Sequence, residues 1–557
     1  MRKQLRLAVA ALATVALAVA AAGCGGSSNS SSNGSNGGAT TSAAGGNLAS
    51  SQVLDMSWGA EPPSLDPGLA TDTTSANVLY NIMDPLIKLG PNLQPEPNLA
   101  ESWTVKGPIV TYRLRHDGRW TNGDPVTAQD FEWSWLRTIS PQLAADYAYQ
   151  FYGIKGAEAY NSCDPKKQNC NALRSKVGIK ALGKYTLQVT LTSPQPWFVQ
   201  QSAHTSFLAV NRKAVEKWGN KWTEANHIVT DGPFKVAAWR HDAELDLVKW
   251  NGWRDAKDVT LTRINGKIIS DGTTAEQSYE AGDIAVDTTG IPPADIDRWK
   301  GTPDYAQYAS LGTYYYGFNV KNIPDVNQRR AMAFAVDRKS IIDNIAKAGQ
   351  TPATSMTPKG MPGFDTIHTT YLPTAGEGLA KAEQLMKKVA NPVKNVTLYI
   401  NDAPGHKEIA VAIQSMWQKL GITTTIKQQE WAQFLQFLGP PPDKSVDVYR
   451  NGWIADFVDD INFLELFTCR SGNNDTNWCN PQYDKLVAQA KATPDDDKRY
   501  GIYKQLENIL TGPNGDMPIM PIYWYTFVQL EKPWVNHSFS INPLDQFDLT
   551  KVKLLKH

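Results

Sequence analysis

At 557 residues the chain is too long for one hydrophobic core, so two or three structural units are expected. With 41% hydrophobic and 20% charged residues it has the composition of a soluble globular protein. Its 55 basic side chains balance 55 acidic ones, leaving no net field to draw in phosphate backbones or anionic lipid, which argues against a nucleic-acid partner.

The opening MRKQLRLAVAALATVALAVAAAGC carries Arg2, Lys3 and Arg6 ahead of an apolar run from Leu7 to Ala22, then small residues just before Cys24. That order marks residues 1–23 as an export signal rather than a fold element. The ending AAGC resembles the bacterial lipobox, in which the cysteine becomes the lipidated first residue after cleavage, although Ala21 stands where leucine is usual. Ordinary cleavage to a free secreted protein is the alternative. Residues 24–49, rich in Ser, Gly and Asn, have almost nothing to bury and are expected to form a flexible tether. Past residue 50 no apolar run approaches the roughly 18–20 residues of a spanning helix. A lipid on Cys24 would then be the only anchor, at the outer face of the bacterial cytoplasmic membrane.

Setting Cys24 aside leaves two close cysteine pairs, Cys163 with Cys170 in CDPKKQNC and Cys469 with Cys479 in CRSGNNDTNWC. In an exported chain each is expected to close a short polar loop as a disulfide. A metal site is disfavoured, since neither pair has CxxC spacing or a nearby histidine.

Between residues 108 and 192 the pattern is of strands and turns: Val110, Tyr112 and Leu114 alternate before the Asp117-Gly118 turn, and Tyr185, Leu187, Val189 and Leu191 alternate in KYTLQVTL. QRRAMAFAVDRKSIIDNIAKAG predicts one helix, with Met332, Ala335, Val336, Ile342, Ile345 and Ala346 at helical spacing and Gly349 as its stop. GHKEIAVAIQSMWQKLG predicts another, running into the strand-like ITTTIKQQ. Helices alternating with strands indicate mixed α/β lobes, and no internal repeat is present.

Local catalytic signatures are missing: there is no GxSxG, HExxH, GxxxxGK[ST] or strand-to-helix GxGxxG. The histidines at 116, 204, 227, 241, 368, 406, 537 and 557 stand singly, each read as a surface or core residue rather than a ligand. The positive signal is aromatic. Eighteen tryptophans and 21 tyrosines recur beside polar residues, as in DYAYQFY, TYYYGFN, QEWAQF, NGWIADF and PIYWYTF. Most of them fill core, but a ring-lined extracellular cleft with a few charges suits an amphipathic guest such as a peptide or an oligosaccharide.

From about residue 56 onward, ordered stretches resemble one family. EPPSLDP at 61–67, NLAESWTV, TYRLRHDGRWTNGDPVTAQDFEWSWLRTISP, KWTEANHIVTDGPFKVAAW, YYYGFNVKNIPDVNQRRAMAFAVDRKSII, QEWAQFL, NGWIADF, MPIMPIYWY, EKPWV and NPLDQF follow in the order seen in the peptide- and nickel-binding class of ABC-transporter solute receptors. The resemblance implies an α/β, bilobal periplasmic-binding-protein-like fold with a hinge. Its three domains would be 50–83 with 207–310 and 517–557, then 84–206, and then 311–516. It also implies no cofactor, no catalysis, a monomer, and delivery of short peptides to a membrane permease with ATPase subunits.

By the same resemblance Asp456 would pair with the α-amino group of a bound peptide, and as a carboxylate set among apolar residues it is expected to stay unsatisfied until that guest brings the counter-charge. The backbone of Arg450, Asn451, Gly452, Trp453 and Ile454, with that of Thr71 and Asp72 in Thr71–Thr74, would pair with the peptide main chain. Trp431, Trp453 and Tyr147 would line side-chain pockets. Arg450 would receive the peptide carboxylate; an internal ion pair with Asp456 or Asp447 is the alternative. Other family cations are replaced, by Leu438 and by Ala346 with Lys347 beside it, and the positions of a family disulfide are Gly312 and Ile454. Competing readings keep the fold for another solute, such as an oligosaccharide or a metal chelate, or make the protein a secreted hydrolase or signalling adaptor. An ammonium partner for Asp456 argues against a sugar.

Overall fold

A computed structural model describes residues 47–439 and 442–557. The expected export signal, Cys24 and the tether as far as residue 46 lie outside the described residues. Among the described residues no helix is long and apolar enough to cross a membrane.

The alternation in residues 108–192 becomes a four-stranded antiparallel sheet ordered Ala100–Lys106, Ile109–Leu114, Thr186–Thr190, Ile179–Gly183. Val110, Tyr112, Leu114, Leu187 and Val189 are buried, joined in one core by Phe131 and Trp135 of the helix Ala128–Thr138. That helix begins where the Asp130 carboxylate accepts the backbone N–H of Thr127 at 2.8 Å, satisfying a donor the helix cannot.

A larger mixed sheet runs Thr423–Gln429, Asn395–Asn401, Val448–Ile454, Tyr305–Phe318, Ile519–Glu531, Val286–Asp287, Val53–Ser57, Arg263–Lys267, Glu244–Lys249, Phe234–Arg240, with Thr351–Pro352 beside Ile519–Glu531. Its two longest strands link its halves. Tyr305–Ala309 pair with Thr526–Leu530 and Thr313–Gly317 with Ile519–Trp524, and the register shifts between Ala309 and Thr313. Tyr305–Phe318 is partly exposed before Ser310 and buried from there on.

Separate apolar cores accompany these pieces. One draws on residues 54–83, 208–286 and 535–554, a second lies within 86–209, and a third within 314–448 and 517–523. A fourth packs Tyr147, Tyr149 and Trp197 of the second piece against Trp453, Phe463 and Trp478, so it joins that piece to the chain after residue 448. Both expected disulfides form, Cys163–Cys170 and Cys469–Cys479.

The single helix expected over residues 328–349 is instead two, Val326–Phe334 and Arg338–Ile341, the second widening into the turn Ile342–Ala346. Asp337 restarts the helix by accepting the Ser340 N–H at 2.9 Å. The buried Arg338 guanidinium takes the carbonyls of Ala333 and Val336, at 3.3 and 3.2 Å, which a continuous helix would have used. The chain then leaves through Lys347 at φ 54°, before the expected stop at Gly349. The second expected helix and strand form as His406–Gln418 and Thr423–Gln429.

Arg338 also donates to the carbonyls of Ala353, Pro373 and Pro521. Arg338→Met would keep much of the volume and orphan buried acceptors, so it is expected to cost about 3 kcal/mol or more. The chemical-denaturation midpoint measures this, and an unchanged midpoint would count against the role assigned to Arg338.

Candidate functional site

Strand Val448–Ile454 is the spine of the site. One edge pairs antiparallel with Tyr305–Phe318, from Val448 opposite Phe318 to Ile454 opposite Gly312. The other edge pairs parallel with Asn395–Asn401 only at Val448 and Tyr449. From Arg450 to Ile454 that second edge meets no strand among the described residues, and these residues line a cavity of about 170 Å³. Two glycines permit close approach here. A Cβ on Gly452 would lie 2.2 Å from the Tyr525 hydroxyl, and one on Gly312 would lie 2.9 Å from Cγ1 of Ile454.

Thr71, Asp72, Tyr147, Trp431, Arg450, Asn451, Gly452, Trp453, Ile454 and Asp456 all line this one cavity. So do Tyr80, His204, Tyr315, Asn473, Asp475, Tyr525 and Asp545, which sequence reasoning did not single out. The Tyr147 and Trp453 rings stand 5.9 Å apart as one wall. Asp72 caps the helix Thr73–Ile82 by accepting the Ser75 N–H at 2.9 Å; burial raises its carboxyl above the ordinary range, and its Oδ2 has no partner.

Asp456 does not wait unpaired for a guest, contrary to expectation. Its Oδ1 accepts from the Tyr147 hydroxyl and lies against His204 Nε2, both at 3.1 Å. Its Oδ2 accepts from Gln150 Nε2 at 2.7 Å and Asn462 Nδ2 at 2.9 Å. A carboxylate offers about four acceptor positions, and these contacts fill them. Tyr147, Gln150 and His204 come from the segment that surrounds the four-stranded sheet, across the cavity from the spine. Asn462 fixes the near side, its Oδ1 accepting the Asp456 N–H at 2.9 Å and the Trp453 indole N–H at 3.0 Å. His204 is fixed in turn: its Nδ1 lies 3.0 Å from the Ser206 hydroxyl, which donates to Gln150 Oε1 at 3.1 Å. Isolated in the sequence, His204 gave no spacing signal, and reading it as an ordinary surface or core residue misses this role.

Arg450 forms neither of the ion pairs considered for it. Asp447 instead accepts from Asn322 Nδ2 and the Thr397 N–H, both at 2.8 Å. The Arg450 guanidinium, buried, donates to Tyr525 Oη at 2.7 Å and Asn401 Oδ1 at 3.2 Å, lies 4.6 Å over the Tyr314 ring, and leaves Nε without a partner. Among the described residues no carboxylate balances it.

A second cavity, about 270 Å³, adjoins the first and shares Thr73, Tyr525 and Asp545 with it. Burial holds the His406 ring on its wall well below the ordinary histidine range, so it is neutral there. Lys347 is spent on Asp297 at 2.7 Å and Leu438 is packed in a small core with Phe434 and Tyr399, so neither position supplies a charge to the cavities.

A cavity between two separately cored pieces, walled by rings and carrying opposite charges along one strand edge, defines a receptor for a polar, extended solute. The model of bacterial extracellular solute-binding proteins, family 5 (middle) matches residues 94–475, and the chain belongs to that family. It is 34% identical to the oligopeptide-binding protein OppA of Bacillus subtilis (strain 168) over 486 residues, covering 84% of this chain and 86% of that protein. The fold matches Haemophilus influenzae OppA in complex with RPPGFSPFR at a TM-score of 0.84 and 28% identity, over 92% of this chain and all of the other. It matches the Escherichia coli murein tripeptide binding protein MppA at 0.84 and 29% identity over 92% of this chain and 100% of that one. Against an unliganded open form of MppA the score is 0.62 at 28% identity, over 92% of this chain and 99% of that one. The fold class is thus the bilobal periplasmic-binding-protein-like one, and this structure is less similar to that open form of MppA than to the OppA complex.

Removing the Asp456 carboxylate would strand donors from both sides of the cavity and weaken the contact between them. Asp456→Ala is expected to increase the radius of gyration of the ligand-free protein in small-angle scattering. An unchanged radius would mean that the apolar contacts alone hold the two sides together.

Proposed function

We propose that this protein is an exported receptor that encloses a short peptide between two lobes and hands it to the permease and ATPases of an ABC importer. The observation that carries the reading is the open edge Arg450–Ile454, bounded by a guanidinium without an acid and a carboxylate, inside an aromatic-walled cavity. A peptide main chain would add to that edge as a strand, through bonds that ignore side-chain identity. Its ammonium would approach Asp456 on Oδ1, because Tyr147 and His204 line the cavity whereas Gln150 and Asn462 do not. Its carboxylate would give the buried Arg450 the counter-charge that the protein withholds. Relatives named for oligopeptide binding, and a matching fold in complex with a nonapeptide, support this cargo over a sugar or a chelate.

In this reading the chain divides into 50–83 with 207–310 and 517–557, 84–206, and 311–516, and the lobes rotate about the paired strands Tyr305–Phe318 and Ile519–Glu531. Residues 1–23 direct export, Cys24 carries the lipid, residues 24–49 are the tether, and the receptor works as a monomer without turning over its guest.

Calorimetric titration with trialanine and its N-acetyl form tests the reading. Acetylation is expected to cost about 2–5 kcal/mol, the range for stripping one partner from a buried charge pair. Asp456→Asn should shrink that difference, and Arg450→Gln should do the same for the difference between the free and amidated C-terminus. Equal affinity of free and acetylated peptides removes the amine anchor, and appearance of cleavage products removes the transport role.

A further inference from the structure

The disulfide Cys469–Cys479 closes a loop that reaches the cavity and carries Asp475 on its wall. The residues on either side of Asp475 are locked. Asn474 Nδ2 donates to the carbonyls of Thr468 and Trp478 at 3.1 and 2.9 Å, its Oδ1 accepts the Thr476 hydroxyl at 2.6 Å, and the Thr476 carbonyl accepts the Val320 N–H at 2.9 Å. Next to it, Asn473 Nδ2 donates to the Tyr149 hydroxyl at 3.2 Å. The loop is therefore a rigid mount rather than a mobile flap.

Asp475 itself is only 8% exposed, and its carboxylate takes part in no hydrogen bond or ion pair among the described residues. Burial, with Asp146 nearby as a second negative group, pushes its carboxyl well above the ordinary range. The basic side chains of this cavity are otherwise engaged: His204 lies on Asp456, and Arg450 is tied to Tyr525 and Asn401. Ionising a carboxyl held this deep, facing a cavity and without a partner, is costly until a cation arrives.

We propose that Asp475 is a specificity residue that selects guests carrying a lysine or arginine side chain, whose aliphatic stem packs against Tyr147 and Trp453 while its head meets the carboxylate. This rests on the peptide reading above and adds a second cation to the ammonium assigned to Asp456.

The test is calorimetry with trialanine, with Lys-Ala-Ala, Ala-Lys-Ala and Ala-Ala-Lys, and with the same three peptides carrying norleucine in place of lysine. In the wild-type protein, lysine at one position is expected to bind about tenfold or more tighter than norleucine there. In Asp475→Asn that ratio should fall to within about twofold of one. Each ratio is internal to one protein, so a general loss of stability does not mimic the effect. Trialanine binding with no lysine preference at any position overturns the role of Asp475 alone, as does a preference that persists in Asp475→Asn. Failure of every tripeptide to bind overturns the peptide reading and this inference together.

Discussion

The arrangement depends on one buried carboxylate. Asp456 sits at the end of the spine strand, yet most of its donors belong to a differently cored part of the chain, so its hydrogen bonds exist only while the two sides are together. An isolated buried carboxylate is expensive and a fully coordinated one is not, which makes this residue a local reason for closure. On the proposed reading a guest ammonium would compete with the Tyr147 hydroxyl and the His204 ring for Oδ1 instead of filling an empty position. A guest shifts the balance between open and closed only by the difference in its affinity for the two forms. Because the protein already satisfies Asp456 itself, that difference is smaller than for an orphaned acid, which suits a receptor that has to release what it captures.

What moves is set by what is tied. Asp66 accepts from Arg137 at 3.0 and 2.5 Å and from the Trp222 indole at 3.1 Å, which fastens the small four-stranded sheet to the core built on residues 54–83 and 208–286. The Arg254 guanidinium on Asp84 fastens it a second time. Against that composite, the spine and its neighbours hang on the long strands Tyr305–Phe318 and Ile519–Glu531, whose mutual pairing is interrupted just where burial begins. Two strands with a shared irregularity bend together, and both sides keep their packing, so rigid-body rotation is the cheap motion.

Much of this was legible in the chain because the signals are local. Period-two alternation at Val110, Tyr112 and Leu114 gave the small sheet, and the spacing of the cysteines gave both disulfides. The residues of the spine were legible through family resemblance, and they do share one cavity with Thr71, Asp72, Tyr147 and Trp431. The rest depended on contacts between residues far apart in sequence. Nothing near His204, Gln150 or Asn462 marks them as the coordination of a carboxylate that is distant in the chain for two of the three. The break in the helix after Phe334 was illegible for the same reason, since Arg338 is fixed by the carbonyls of Ala353, Pro373 and Pro521 as well as by its own helix. Helical periodicity sees the apolar face and not the competitor for its last carbonyls.

Overall neutrality hides how unevenly charge is placed inside. Arg450 is a buried cation without an acid, Asp475 a buried acid without a base, and each is held by groups that leave it no freedom to find a partner: tyrosines and Asn401 around the first, a disulfide-closed and hydrogen-bonded loop around the second. Two such groups in one cavity would neutralise each other if either could move. Fixing both in place keeps them aimed at the cavity, and the cost of that separation is met when the protein folds rather than when a guest binds. A guest bearing charges in the right places then gains their full attraction without first reorganising the walls, whereas a neutral guest of the same shape must desolvate both groups for no return.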